Sequence, residues 1–214
     1  MANIETQSEL ITVIEAIADN KYIIGDRLVE VGVGGPDLEA SLSAIAMAQA
    51  ELGHARLLYN WTFDMKGHKG KKPEVSEQTG KAFSSIVEIN NWISLIAGLY
   101  TVNVSFDILM KAIVRTEHQE VVSHFTKLLK EQNEHIIYSK SWAAKLLNES
   151  GSIPKRFQNA LNESYVEAEK WLESIEKNGA LTAAGYLMKD ENLTETFKKE
   201  MASMRSHEAV VNAG

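Results

Sequence analysis

Apolar residues recur at spacings of three and four along almost the whole 214-residue chain, and this period constrains the fold more than any other feature. Such spacing places the apolar side chains on one side of an α-helix, and no alternating segment of useful length indicates a β-strand. The three prolines all lie between periodic segments, so they do not interrupt the long helices. The sequence therefore predicts an all-α fold.

Capping and helix-breaking residues divide this pattern into segments. Pro36 and the glycines before it end the first helix, Asp37 is placed to cap the second, and Gly151 follows the fourth. Ser76 is the predicted cap of the third helix, and Thr116 with Gln119 has the spacing of a capping box for the fourth. The predicted helices cover residues 8–31, 37–66, 76–115, 116–150 and 152–178, with shorter ones over 181–211.

The connection after the second predicted helix decides the topology. That helix is about 44 Å long, and the lysine-rich connection after it can span about 40 Å when extended. The second and third helices can therefore run parallel. Short links join the first helix to the second and the third to the fourth, so each of these pairs forms an antiparallel hairpin. Two hairpins joined by one long crossover form a ferritin-like four-helix bundle. A plain up-and-down bundle is the alternative. We expect one domain over residues 1–214, with the bundle core at about 8–150 and C-terminal helices at about 152–211.

Composition excludes several classes of function. The chain has no cysteine, which rules out disulfides, thiolate catalysis and zinc–thiolate sites. Its formal net charge of −7 disfavours nucleic acid as a partner, because a phosphate backbone repels an acidic surface. No apolar run approaches the length of a membrane span, and the N-terminus lacks a signal-peptide pattern. We therefore expect a cytoplasmic protein that binds neither nucleic acid nor membrane.

Polar residues interrupt the apolar line near the middle of three predicted helices. The interruptions are Glu51 and His54 in the second helix, Asn103 and Asp107 in the third, and Gln132 and His135 in the fourth, with Glu131 beside the last pair. In the first helix, Glu15, Asp19 and Asp26 lie loosely along one face. We take Asp26 as the acid that points inward, with Glu30 as a second candidate. A solvated acidic face is the alternative for that helix.

Carboxylates and imidazoles in these positions indicate a metal site. A buried charge is costly unless it is paired or bound to metal. Carboxylates that converge from several helices can bridge two metal ions and balance their charge, while each histidine nitrogen donates a fixed lone pair. The pattern therefore suggests a di-iron or di-manganese centre. Glu51 with His54 could instead be a buried hydrogen-bonded pair, and Asp107 could pair with Arg56.

Three stretches of the chain resemble the ferritin-like oxygenase subunits of phenylacetate degradation. They are KYIIGDRLVEVG, PDLEASLSAIAMAQAELGHARLLYNW and LLKEQNEHIIYSKSWAAKL. Those subunits belong to a multicomponent ring 1,2-epoxidase, a monooxygenase that acts on phenylacetyl-coenzyme A. The family contains catalytic subunits with a di-iron centre and partner subunits whose metal site has degenerated. The catalytic pattern is an acid on helix 1, an ExxH motif on helix 2, an acid on helix 3 and a second ExxH motif on helix 4.

The chain matches this pattern only in part. Glu51 and His54 match the first ExxH motif, and His135 matches the histidine of the second. The remaining acid positions of the family fall at Tyr22, Asn103 and Gln132 in this sequence. Acids stand near each of them, and these are Asp26, Asp107 and Glu131.

The resemblance implies one of two roles. In a catalytic subunit, two iron ions (or iron and manganese) activate O2, and their ligands would be Glu51, His54, Glu131, His135, Asp107 and Asp26. In an accessory subunit, no metal is bound and the same fold pairs with a catalytic chain. Either role implies other oxygenase subunits as partners, namely a paralogous ferritin-like chain and a reductase, in a homo- or hetero-oligomer. A free-standing di-metal oxidase or oxygenase and a non-enzymatic helical interaction protein are the alternatives, so catalysis by this chain stays open.

Overall fold

The first two helices form an antiparallel hairpin in the computed structural model, which describes residues 4–72 and 78–205. Helix α1 spans Ile4–Glu30 and α2 spans Leu38–Met65, joined through a short 3-10 turn at Gly32–Gly34. Asp37 caps α2 as predicted, because its side chain accepts a hydrogen bond of 2.7 Å from the backbone N–H of Ala40. Both helices lie within one or a few residues of their predicted bounds.

A glycine allows the two helices of the hairpin to approach closely. A Cβ atom added at Gly25 would lie 2.7 Å from Cγ of Leu52 and 3.3 Å from the carbonyl oxygen of Ala48. Carbon atoms in van der Waals contact are about 3.5–4.0 Å apart, so there is no room for a side chain here. Gly25 therefore fixes how closely α1 packs on α2.

The connection after α2 differs from the prediction of one long third helix. A short helix, α3, spans Ser84–Val87, and the long helix α4 spans Trp92–Val114 with a capping box at its start. The predicted cap Ser76 lies outside the described residues, but residues 78–83 and 88–91 are not helical, so a continuous helix into α4 is wrong. The physical reason is that α1 side chains accept hydrogen bonds from backbone N–H groups in this connection, as described below.

The remaining helices pack around α4. Helix α5 spans Gln119–Leu147, α6 spans Ile153–Glu176, α7 spans Gly179–Ala183 and α8 spans Leu193–Arg205. Helix α5 runs antiparallel to α4, α6 packs on both, and α8 packs along α6 and α4. The predicted capping box of α5 is wrong, because the Thr116 hydroxyl donates back to the Ile113 carbonyl at the end of α4. His118 occupies the N-cap position instead, with no side-chain cap.

The chain forms two compact units, Met1–Glu88 and Ile89–Gly214. The first is the α1–α2 hairpin with its connection, and the second is built from α4 to α8. Among the described residues there are helices, turns and loops but no β-strand. This confirms the predicted all-α class and agrees with a ferritin-like helical bundle, whereas the single-domain organisation stays a prediction.

Helix α4 is long and apolar enough to cross a membrane by length and composition alone, and it is the one such helix among the described residues. However, 83% of its most apolar window is buried within the protein. The core helix of a helical domain has the same properties, and α4 holds that position in the second unit.

Candidate functional site

Five of the six polar residues that interrupt the apolar lines are buried, as predicted, and the sixth, Asp107, is partly buried. Glu51 is 0% exposed and His54 is 6% exposed on the inner face of α2. In the second unit, Asn103 and Gln132 are both 0% exposed and His135 is 5% exposed. The expectation that these side chains face the protein interior is therefore confirmed.

The carboxylate of Glu51 is paired with a buried cation. The Lys21 ammonium donates to Oε2 of Glu51 across 2.8 Å, and both side chains are 0% exposed. Burial of either charge alone would be strongly unfavourable, and each offsets the desolvation of the other. The α1–α2 hairpin thus contains an ion pair at the first half of the ExxH motif.

The sequence interpretation missed Lys21, although α1 carries a signal for it. Lys21 lies on a heptad line of α1 whose other members are apolar and at most 1% exposed, and these are Leu10, Ile14, Ile17, Ile24 and Leu28. The criterion that singled out Glu51 on α2, a charged residue on an apolar line, applies equally to Lys21. Metal ligands are acids and histidines, so a prediction of a metal site does not include a lysine.

Asp26 does not face inward, so that prediction is wrong. Its side chain is 55% exposed, and a carboxylate oxygen lies 3.5 Å from the Arg27 guanidinium. Arg27 also pairs with the exposed Glu30. These charged residues lie near the C-terminal end of α1, off its buried line. The acids that α1 does bury lie at least two turns earlier.

Asp19 is one of those acids, and it binds the connection that follows α2. Its carboxylate is 0% exposed and accepts from the backbone N–H of Thr79 at 2.8 Å, the Thr79 hydroxyl at 2.9 Å and the backbone N–H of Lys81 at 2.6 Å. It also accepts from the Tyr59 hydroxyl. Burial and the hydrogen bond to Asp19 raise the pKa of Tyr59 well above its ordinary value, so the hydroxyl keeps its proton.

The neighbouring residues of α1 extend this cluster. Oδ1 of Asn20 accepts from the backbone N–H of Phe83 at 2.9 Å, and Glu15 accepts from the ammonium groups of Lys66 and Lys81. Burial alone would raise the pKa of Glu15, but the hydrogen bonds from Lys66 and Lys81 outweigh it and hold that pKa below its ordinary value. Glu15, Asp19 and Asn20 of α1 thus anchor residues 79–83, whereas Asp26, further along the helix, is solvated.

In the second unit, a neutral amide, Gln132, stands at the glutamate position of the second ExxH motif. Nε2 of Gln132 donates to the backbone carbonyl of Asn103 across 2.7 Å, which ties α5 to α4 at buried positions. Asp107 lies one turn after Asn103 and pairs with Lys111 across 2.7 Å, with its side chain 13% exposed. Glu131, the acid beside Gln132, is only partly buried.

Two observations on the described residues weigh against a di-metal centre. Among the residues that the structure describes, no three His, Asp or Glu side chains come together as a metal-binding group. In addition, an ammonium group lies within hydrogen-bonding distance of Glu51, and a metal cation at that carboxylate would experience its repulsion.

Comparisons with known proteins identify the family of this chain. A family model described as phenylacetic acid catabolic protein matches residues 1–211. Among curated proteins, one of the subunits of the 1,2-phenylacetyl-CoA epoxidase of Escherichia coli (strain K12) is 20% identical over 189 residues. The similarity covers 86% of this chain and 76% of that relative.

Proposed function

Because the chain belongs to the phenylacetic acid catabolic protein family, we propose that it is an accessory, metal-free subunit of a phenylacetyl-coenzyme A 1,2-epoxidase complex. In this role it would pair with a catalytic oxygenase chain that carries the di-iron centre, and a separate reductase would supply the electrons. The similarity to a subunit of the Escherichia coli epoxidase supports the assignment to such a complex. We expect the complex to work in the cytoplasm.

The buried pair of Lys21 and Glu51 is the observation that carries the accessory role. In a catalytic subunit, the glutamate of the first ExxH motif must give its charge to metal ions. Here the 2.8 Å hydrogen bond from Lys21 already balances that charge. Two further acid positions of the family pattern hold the neutral Asn103 and Gln132, which cannot balance the charge of metal cations.

Metal analysis of the purified chain tests this proposal. The chain, expressed in iron-supplemented cells, is expected to contain iron far below one ion per chain. A matched sample of the catalytic-type subunit, which carries both ExxH motifs, serves as the positive control for metal loading. Iron near two ions per chain, lost on substitution of Glu51, would overturn the accessory role and favour a catalytic one.

An activity assay with a charge-balanced variant gives an independent test. The double variant Lys21→Met with Glu51→Gln removes both charges of the buried pair together, so neither charge loses its partner. A reconstituted complex that contains it should consume phenylacetyl-coenzyme A at close to the wild-type rate, with oxygen uptake as the readout. A complex without this chain should be inactive. If Glu51 were a metal ligand, its replacement would abolish turnover. An inactive double variant that folds normally would therefore contradict the proposal.

A further inference from the structure

One end of the α1–α2 hairpin exposes a set of large apolar side chains. On α2, Leu38 is 74% exposed, Leu42 is 58% exposed and Ile45 is 41% exposed. Their spacing of four and three places them on one face of the helix. Val29 at the end of α1 and Val33 in the connecting turn are 50% and 49% exposed at the same end of the hairpin. We refer to these five residues as the hairpin-end patch.

Exposure of these apolar side chains to water is unfavourable for a chain that has no partner. Single exposed apolar residues are common on protein surfaces, whereas several large ones on one helix face indicate a site that another surface covers. Ala40 and Ala44 lie between the exposed residues in sequence, and they are buried in the core, at most 1% exposed. Helix α2 is therefore apolar on two faces at this end, and packing within its own hairpin accounts for only one of them.

The charges around the patch indicate what kind of surface covers it. Between residues 26 and 45 the chain contains four acids and one base, and these are Asp26, Glu30, Asp37, Glu39 and Arg27. The four acids are exposed, and Arg27 already pairs with two of them. A two-fold contact between two copies of this chain would bring the patch against itself and its acidic rim against an equal rim. A partner with basic residues around an apolar helix face complements the patch instead.

We propose that the hairpin-end patch is the surface by which this chain docks onto a different helical subunit, one whose apolar docking face is rimmed by lysine and arginine. The inference rests on the proposed function, which supplies the partner: the catalytic-type oxygenase subunit of the same genome that carries both ExxH motifs. Leu38 and Leu42 are the central contacts, and the acidic rim steers the encounter and excludes a second copy of this chain.

Binding between the two purified subunits tests the surface. The variants Leu38→Glu and Leu42→Glu should each weaken binding by about 30-fold or more, as expected for a central apolar contact. Val166→Glu is the matched control, because Val166 is 43% exposed on α6 in the other unit, and it should bind like the wild type. Both kinds of variant place a charge at an exposed site, and circular dichroism should give unchanged helix content and melting temperature.

The acidic rim gives a second, independent readout. The double charge reversal Glu30→Lys with Glu39→Lys should slow association while leaving dissociation nearly unchanged, and raised salt should remove the difference. Light scattering should find the isolated chain monomeric.

The possible failures separate the two proposals. Wild-type binding that is unaffected by Leu38→Glu and Leu42→Glu would overturn the docking surface and leave the subunit role intact. A stable dimer of this chain alone, lost on Leu42→Glu, would assign the patch to self-association and would also overturn the inference. No binding between the wild-type subunits would contradict the proposed function, and the docking surface with it.

Discussion

The Lys21 ammonium donates a hydrogen bond to the Glu51 carboxylate across 2.8 Å, and neither side chain is exposed to solvent. The two residues interrupt the apolar lines of adjacent, antiparallel helices. Because a shift of one helix along the other would separate the charges inside the core, the pair favours one register of the hairpin. The glutamate of the first ExxH motif thus has a structural role in this chain.

Removal of one partner of this pair should strongly destabilise the protein. Lys21→Met leaves a buried carboxylate without its cation, and we expect a loss of about 3–5 kcal/mol in the free energy of unfolding, measured by chemical denaturation. Lys177→Met is the matched control, since Lys177 pairs with Glu173 at a site where its side chain is 72% exposed. That change should cost about 0.5 kcal/mol or less.

A double variant should recover part of the loss. Combining Lys21→Met with Glu51→Gln removes the uncompensated charge, so the double variant should be more stable than the sum of the two single changes predicts. Additive effects would mean that the two charges do not interact energetically, and would contradict the role assigned to the pair.

The four hydrogen bonds to Asp19 should make it the main anchor of the connection after α2. Asp19→Asn keeps the size of the side chain but replaces one acceptor oxygen with a donor, which then faces N–H and O–H donors. We expect a loss of about 2–4 kcal/mol and faster amide hydrogen exchange at residues 79–83. Asp64→Asn, at an exposed pair with Lys72, should change neither quantity appreciably. Unchanged exchange at residues 79–83 in Asp19→Asn would show that the connection is held by other contacts.

Glu15 should contribute to stability in a pH-dependent manner. Its pKa is lower in the folded protein than its ordinary value of 4.5, so its contribution is fully present above that value and is lost as pH falls through the folded-state pKa. Glu15→Gln should therefore be less stable than the wild type by about 1–2 kcal/mol at pH 7, with the gap closing below pH 4.5. Thermal unfolding of both proteins from pH 3 to pH 7 measures this, and a gap that is constant across the range would argue against an ionised Glu15.

The sequence predicted the helices better than the connection between them. The bounds of α1 and α2 follow from apolar periodicity, from Pro36 and from the Asp37 cap, all of which are local signals. The non-helical connection before α4 could not be predicted in this way, because residues 79–83 are kept out of a helix by Asp19 and Asn20, about 60 residues earlier in the chain. A hydrogen bond between distant segments has no local pattern. The start of α4 does have a local signal, the capping box at Asn91, which the prediction of one continuous helix overlooked.

The candidate site was predicted in its burial but not in its chemistry. The periodicity that places Glu51, His54 and His135 inside the protein does not determine which partner each one finds. The apolar line of α1 marks Lys21 as buried, but its pairing with Glu51 depends on how α1 packs against α2. Asp26 is exposed because it lies off the apolar line that contains Lys21, and that line alone would have excluded it.

Two glycines of the hairpin should respond in opposite ways to the same change. Gly25→Ala places a methyl group 2.7 Å from Cγ of Leu52, and the resulting overpacking should cost about 1–3 kcal/mol. Gly53 lies in the middle of α2 with nothing within 4 Å of an added Cβ, so Gly53→Ala should stabilise the protein by about 0.5–1 kcal/mol through helix propensity. Leu52→Ala in the Gly25→Ala background should restore part of the loss, because it removes the side chain that the new methyl group meets. Urea denaturation of the four proteins, with the wild type as reference, measures these differences. A neutral Gly25→Ala would mean that the hairpin can separate slightly at no cost, and that Gly25 does not set the distance between α1 and α2.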